Sequence, residues 1–256
     1  MFSDEELERY ARQIILKEVG GTGQARLKTA SVAVIGAGAI GSPVIQYLVG
    51  AGVGRLKVID DDRVELSNLH RQTLYPRASI GFAKASEALK NAYQLNPLTE
   101  IDPVSTRLHA GNASQLLAGA DVIVDGSDNF ATRLAAADAA LALRIPLVSA
   151  AVGQFEGQLA VYRGWKADRP CYRCFVGDAP DRDEASCAEA GVLGPVTGML
   201  GSMAALEAIR ALVPFGEDPA GKLLLIDTLA WRFRTLSLPK DPGCRACSAP
   251  PPSSWP

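Results

Sequence analysis

The spacing of apolar positions changes along the chain, and the changes mark its elements. Ser3 and Glu6 carry a capping-box signature that predicts a helix to about Lys17, with Leu7, Tyr10, Ile14 and Ile15 at helical spacing. Gly20 to Gly23 is expected to end this arm. Short apolar runs at residues 30–35, 56–60, 101–106, 121–125 and 146–150 then read as strands. Helical patterns fall between them, after Gly41 to about Ala51, at 82–95 and at 129–143. Pro43 sits in a first turn, where its missing N–H does no harm. Strands alternating with helices at this pace predict an α/β, Rossmann-like, doubly wound and mainly parallel sheet.

After residue 150 the rhythm changes. Residues 157–162 alternate like an antiparallel strand, and 163–190 are rich in Asp, Pro, Gly, Arg and Cys and read as loop. Residues 197–212 read as a helix, and 222–227 and 233–238 as strands continuing the sheet in antiparallel fashion. The Pro/Ser-rich residues 249–256 are expected to be a disordered tail. Neither a repeat nor a long linker interrupts the chain, so residues 1–248 are expected to form one domain. It would comprise a helical arm (1–24), a nucleotide-binding half (30–150) and a second half (151–248).

Composition narrows the function classes. The chain has 256 residues, 48% of them hydrophobic and 21% charged, enough for a full core without disulfides. Aromatics make up only 6%, so that core is built from Ala, Val, Leu and Ile. Lys plus Arg is 26 against 28 Asp plus Glu, a net charge of −2 that gives no reason to expect nucleic acid or an anionic membrane as partner. No window offers 18 uncharged apolar residues, and the start, Met1 to Glu6, is acidic, so a cytoplasmic protein is expected.

Gly36-x-Gly38-x-x-Gly41 lies between a predicted strand and a predicted helix. Such glycines permit a tight turn and let backbone N–H groups approach a phosphate at a helix N-terminus. Asp60 ends the next strand, where a carboxylate can hold ribose hydroxyls. These features alone also fit an NAD-dependent oxidoreductase. The residues beyond Asp60 favour a triphosphate with Mg²⁺: Asp61 and Asp62, then Ser67 to Gln72 with Asn68 and Arg71, Lys84 opening a helix, and Asp128-Asn129 after a strand. All fall at carboxyl ends of strands or in the loops behind them, where a doubly wound sheet binds its ligand.

Five cysteines are too few for a disulfide scaffold. Cys171-x-x-Cys174 and Cys244-x-x-Cys247 are two knuckles that can present four thiolates to one structural Zn²⁺. A redox reading would need a thioredoxin-like setting that is missing. Cys187 is left over among Asp181, Arg182, Asp183 and Glu184, acidic company that does not favour a low thiol pKa.

Taken together, the motifs resemble the ThiF/MoeB/HesA family, bacterial relatives of the ubiquitin-activating enzymes. The likeness covers nearly the whole chain: Arg9-Tyr10-x-Arg12-Gln13-Ile14, the glycine loop, Ala51 to Gly54, Asp60-x-Asp62, Leu66 to Gln72, Asp128-Asn129, Ala190-Gly191-Val192, Leu206 to Ile209 and both cysteine knuckles. It implies a homodimeric adenylyltransferase that uses Mg-ATP on the C-terminal glycine carboxylate of a ubiquitin-like sulfur-carrier protein (MoaD- or ThiS-like), for molybdopterin or thiamin thiazole biosynthesis. The carrier would bind the 151–248 half. Nucleotide contacts would come from Gly36, Gly38, Gly41, Asp60, Asp62, Asn68, Arg71, Gln72, Lys84, Asp128 and Asn129. Catalysis would fall to Arg71, Lys84, Asp128 as the Mg²⁺-associated acid, and Arg12 reaching the partner subunit's site. In the ThiF branch a cysteine placed like Cys187 can link covalently to the carrier; in the MoeB branch it is not required for adenylation; a merely permitted free thiol is the third possibility. No rhodanese-like segment is present, so a separate sulfur donor is expected. Ala39 stands where many relatives have Gly, and His70 where Gln is common, which argues against a required role for His70. A non-catalytic zinc scaffold is the other alternative, but it would not need Arg71, Lys84 and Asp128.

Overall fold

A computed structural model describes residues 2–177 and 191–248. Cys187 and the 249–256 tail lie outside the described residues. Strands β1 (Ser31–Ile35), β2 (Arg55–Ile59), β3 (Glu100–Val104), β4 (Val122–Asp125), β5 (Leu147–Gly153), β6 (Glu156–Tyr162), β7 (Lys222–Asp227) and β8 (Arg232–Ser237) form one eight-stranded sheet. Its order is β3-β2-β1-β4-β5-β6-β7-β8. Pairs from β3 to β5 are parallel, and pairs from β5 to β8 are antiparallel. The chain leaves β1 toward β2 and β3, then returns to β4 on the other side. The carboxyl ends of β1 and β4 therefore flank a topological switch point, the natural mouth for a ligand.

Helices α1 (Asp4–Ile14), α2 (Gly20–Thr29), α3 (Gly41–Gly50), α4 (Lys84–Leu95), α5 (Ala113–Leu117), α6 (Phe130–Leu143), α7 (Tyr172–Val176) and α8 (Gly194–Leu212) accompany the sheet. One core layer joins Val32, Val34 and Val58 of the sheet to Ile45 and Leu48 of α3 and Leu200 and Ala204 of α8. The other joins Ala33, Ile35 and Ile123 to Ala136, Ala139 and Ala140 of α6. Small alanines let α6 lie close to the strands, which suits a chain so poor in aromatics.

Several expectations need correcting. The glycine stretch does not end the arm but opens α2, because Leu27 and Gln24 are fully buried there and Gln24 Nε2 donates to the Ala51 carbonyl at 2.9 Å. Burial and that hydrogen bond outweigh the low helix propensity of glycine. Helix α1 stops at Ile14 rather than Lys17, and Leu7, Ile15 and Leu16 are exposed, so the expected apolar stripe is buried only at Tyr10. Helix α4 starts at Lys84, leaving Phe82 exposed. The expected 163–190 loop contains the short α7. Strand β5 runs on to Gly153 because Ala151, Val152 and Gly153 find partners in β6.

Candidate functional site

The glycine loop owes its shape to crowding. Gly36 adopts φ +81°, and a Cβ at Gly41 would lie 1.9 Å from the Gly36 carbonyl oxygen. Gly41 thus lets α3 begin directly against the turn and does not itself line the cleft. Asp60 ties this turn to the end of β2: its Oδ2 accepts from the Ala37 N–H (2.7 Å) and its Oδ1 from the Asp62 N–H (2.8 Å). Burial pushes the Asp60 carboxyl above its ordinary value, against the pull of the Lys84 charge and these two N–H donors. Each oxygen keeps a further lone pair for a ligand hydroxyl.

Lys84 opens α4 and is almost buried, with its Nζ 2.8 Å from Asp62 Oδ2. The Tyr75 hydroxyl donates to the Ala37 carbonyl (2.8 Å) and lies 3.3 Å from that of Lys84, bridging the glycine loop and the α4 start. Burial, with Asp60 and Glu87 nearby, pushes its ionisation upward, so it stays a neutral donor. Across the cleft, Asn68 is buried in a short 3₁₀ turn, and its Oδ1 accepts from the Glu65 N–H. Arg71 donates to the Ser67 carbonyl (2.9 Å) and to His70 Nε2 (2.7 Å). Gln72 is buried, with its Oε1 lacking a hydrogen-bond partner among the described residues. Asn129 caps α6 by accepting from the Thr132 N–H (2.9 Å), which leaves its Nδ2 for a ligand.

These groups surround one cleft of about 480 Å³ at the switch point. It is lined by Gly36, Gly38, Asp60, Asp62, Asn68, Arg71, Gln72, Lys84, Asp128 and Asn129. Asp128 is exposed on its wall. Arg12 is not there. It is exposed on α1, whose Tyr10 and Gln13 pack on Ala51 and Gly52 at the far end of α3. Thr106, Leu108, Arg133, Tyr172 and Phe175 also line the cleft; Tyr172 lies inside the Cys171–Cys174 knuckle, and no sequence motif points to the other four. Arg133 lies four residues past the Asn129 cap, so a helical turn counted from that motif could have found it. Tyr172 adjoins Cys171 and Phe175 adjoins Cys174, and their place in the cleft comes only through the tertiary fold.

The second constellation is the cysteine quartet. Sulfur separations are 3.8 Å (Cys171–Cys174), 3.7 Å (Cys171–Cys244) and 3.4 Å (Cys174–Cys247), and none of the four is in a disulfide. Four sulfurs placed tetrahedrally at about 2.3 Å from one ion would stand about 3.8 Å apart, so the cage has the size of a Zn²⁺ site. Burial pushes the Cys171 and Cys174 thiols up, a cost that a bound cation would offset. No helix among the described residues is long and apolar enough to cross a membrane.

Comparison with known proteins bears on the family and the fold. The ThiF family model matches residues 10–246. A Thermus thermophilus protein named sulfur carrier protein adenylyltransferase is 48% identical over 254 residues, covering 98% of this chain and 94% of that protein. An Anopheles gambiae protein named adenylyltransferase and sulfurtransferase MOCS3 is 46% identical, and the match covers 97% of this chain but 56% of that longer protein. Among solved structures, Escherichia coli MccB superposes with a TM-score of 0.83 at 21% identity, covering 97% of this chain and 74% of MccB. Its ATP-bound form gives 0.82 at 20% identity, covering 94% and 75%. At these identities the MccB likeness speaks for the fold.

Proposed function

The chain belongs to the ThiF family, and from that premise we propose that it is the adenylyltransferase of a ubiquitin-like sulfur-carrier protein, joining AMP from Mg-ATP to the carrier's C-terminal glycine carboxylate. The observation that carries this reading is the meeting of Asp60, Asn68, Arg71, Lys84 and Asp128 around one cleft at the switch point. A hydride-transfer enzyme needs no such gathering of cations and a free carboxylate.

In this reading a carboxylate oxygen of the carrier attacks the α-phosphorus of ATP. The new P–O bond forms as the bond to pyrophosphate breaks, and pyrophosphate takes the electron pair. Both reactants are anionic, so Coulomb repulsion opposes their approach. Lys84 and Arg71 offset it on the phosphates and stabilise charge developing on the leaving group. The ribose rests on Asp60, with Asn68, Gln72 and Asn129 supplying amide groups. Asp128, on the same cleft as Asp62, would hold Mg²⁺, which would supply further charge neutralisation on the phosphates. The carrier carboxylate is already ionised near neutral pH, so no side-chain nucleophile is required for this step. Arg12, outside its own chain's cleft, would serve a partner subunit in a homodimer, and exposed Leu7, Ile15 and Leu16 beside it suit burial there. The cysteine cage would hold one structural Zn²⁺.

The test is ATP–pyrophosphate exchange with candidate carriers from the same source. Exchange that depends on one carrier and on Mg²⁺ is expected. Inactivity of intact, zinc-loaded protein toward all of them would overturn the reading.

A further inference from the structure

Arg133 is an anomaly of placement. It lies in the first turn of α6, where the helix dipole is positive and cations are disfavoured, and it is only 9% exposed. No carboxylate among the described residues lies within ion-pairing distance of it. Its guanidinium donates instead to the Ser127 carbonyl. On the other side of the same residue, Asp125 Oδ1 accepts from the Ser127 N–H (3.0 Å) and from its hydroxyl (2.6 Å). Asp125 is 1% exposed, and its Oδ2 has no hydrogen-bond partner among the described residues. A buried carboxyl and a buried guanidinium thus grip one serine from both ends.

We propose that Arg133 is a positioning residue which, with Asp125, fixes the Ser127 turn and thereby sets Asp128 on the wall of the nucleotide cleft. Burying a cation at the wrong end of a helix is costly, and its hydrogen bond goes to the carbonyl that immediately precedes Asp128. The held turn is also the one that the glycine loop touches. A Cβ at Gly36 would lie 3.1 Å from the Gly126 carbonyl oxygen and 3.3 Å from the Ser127 nitrogen. The clamp therefore fixes the seam between the two sides of the switch point, the β1 turn and the β4 turn. Its kinetic consequence rests on the adenylyltransferase reading; its structural consequence does not.

The experiment compares wild type with Arg133→Leu and Arg133→Lys, each checked for native circular dichroism. Amide hydrogen exchange of a peptide spanning residues 125–130 is read without ligand. Arg133→Leu should speed it about tenfold or more while β6 and β7 peptides stay unchanged, and Arg133→Lys should lie between. In pyrophosphate exchange, Arg133→Leu should lower kcat about 100-fold, with the Kd of a non-reacting ATP analogue moving less than about threefold, because Arg133 acts through Asp128. Adding Arg133→Leu to Asp128→Ala should cost nothing further. Unchanged amide exchange overturns the clamp. A large loss of analogue affinity, additive with Asp128→Ala, also overturns it and makes Arg133 a direct phosphate ligand. Faster amide exchange in a protein that adenylates no carrier leaves the clamp standing and removes the functional reading alone. If Arg133→Leu does not fold, Arg133→Lys carries both readouts.

Discussion

At Gly41 a Cβ would collide with the Gly36 carbonyl oxygen at 1.9 Å, whereas at Gly38 it would meet nothing nearer than Gln72 Nε2 at 3.7 Å. Two glycines of one motif therefore exist for different reasons, one for chain packing and one for space in the cleft. Gly41→Ala should destabilise the fold by more than about 2 kcal/mol, because backbone must move to admit the methyl. Gly38→Ala should leave the melting temperature within about 2 °C of wild type. It should instead raise the Kd for ATP, since the added methyl takes up space beside the phosphates. Thermal melts and nucleotide titration of the two variants check the split, and equal losses of stability would contradict it. Asp128→Ala belongs to the same scale. Its side chain is exposed, so stability should hold within about 0.5 kcal/mol. Carrier-dependent pyrophosphate exchange should fall by about two orders of magnitude or more. Near-normal exchange would remove Asp128 from the machinery.

Single elements answer to conditions as well as to substitutions. Helix α1 is fastened at its first turn by Glu6, whose carboxylate takes bonds from Lys28 Nζ (2.7 Å and 2.9 Å) and the Ser3 N–H (2.8 Å). The Lys28 bond, then the Ser3 N–H, hold its pKa below the ordinary glutamate value. A depressed native pKa gives stability that is complete well above the unfolded value of about 4.3 and is lost as pH falls through the native one. Glu6→Gln should therefore melt below wild type at about pH 7, and the difference should shrink as pH falls below the ordinary glutamate range. The cysteine cage makes a second case, because the affinity for a metal bound there would be folding energy. Cys244→Ser should lose zinc and thermal stability together; a full zinc complement in that variant would mean that other ligands build the site. Most elements are legible in the sequence, because β1, β4 and α6 each bury a run or stripe whose period declares itself. Helix α2 is not legible, since its glycines argue locally against a helix and only Gln24 and Leu27, once packed, decide for one. The cleft is half legible. Asp60, Arg71 and Lys84 announce themselves as charges in motifs, whereas Thr106, Tyr172 and Phe175 are ordinary residues that the fold brings in.

Arg12 belongs to the scale of the assembly. Helix α1 packs on the far end of α3, and Arg12 stays exposed outside its own chain's cleft. If it acts, it must act on another chain, and the exposed Leu7, Ile15 and Leu16 give that chain an apolar surface to cover. The charge would then reach the phosphates only after assembly, as an arginine supplied in trans does. Subunit mixing tests this directly. Arg12→Ala and Asp128→Ala homodimers should each be nearly inactive. Allowed to exchange subunits, the two chains form mixed dimers in which one site carries both defects and the other carries neither. Random mixing makes about half of the dimers mixed, each with one intact site of two, so activity should return to at most about a quarter of wild type. Recovery should follow the exchange of subunits in time, read independently by native mass spectrometry of tagged chains. A mixture that stays inactive after verified exchange would confine Arg12 to its own chain, where its position on α1 gives it no access to the cleft.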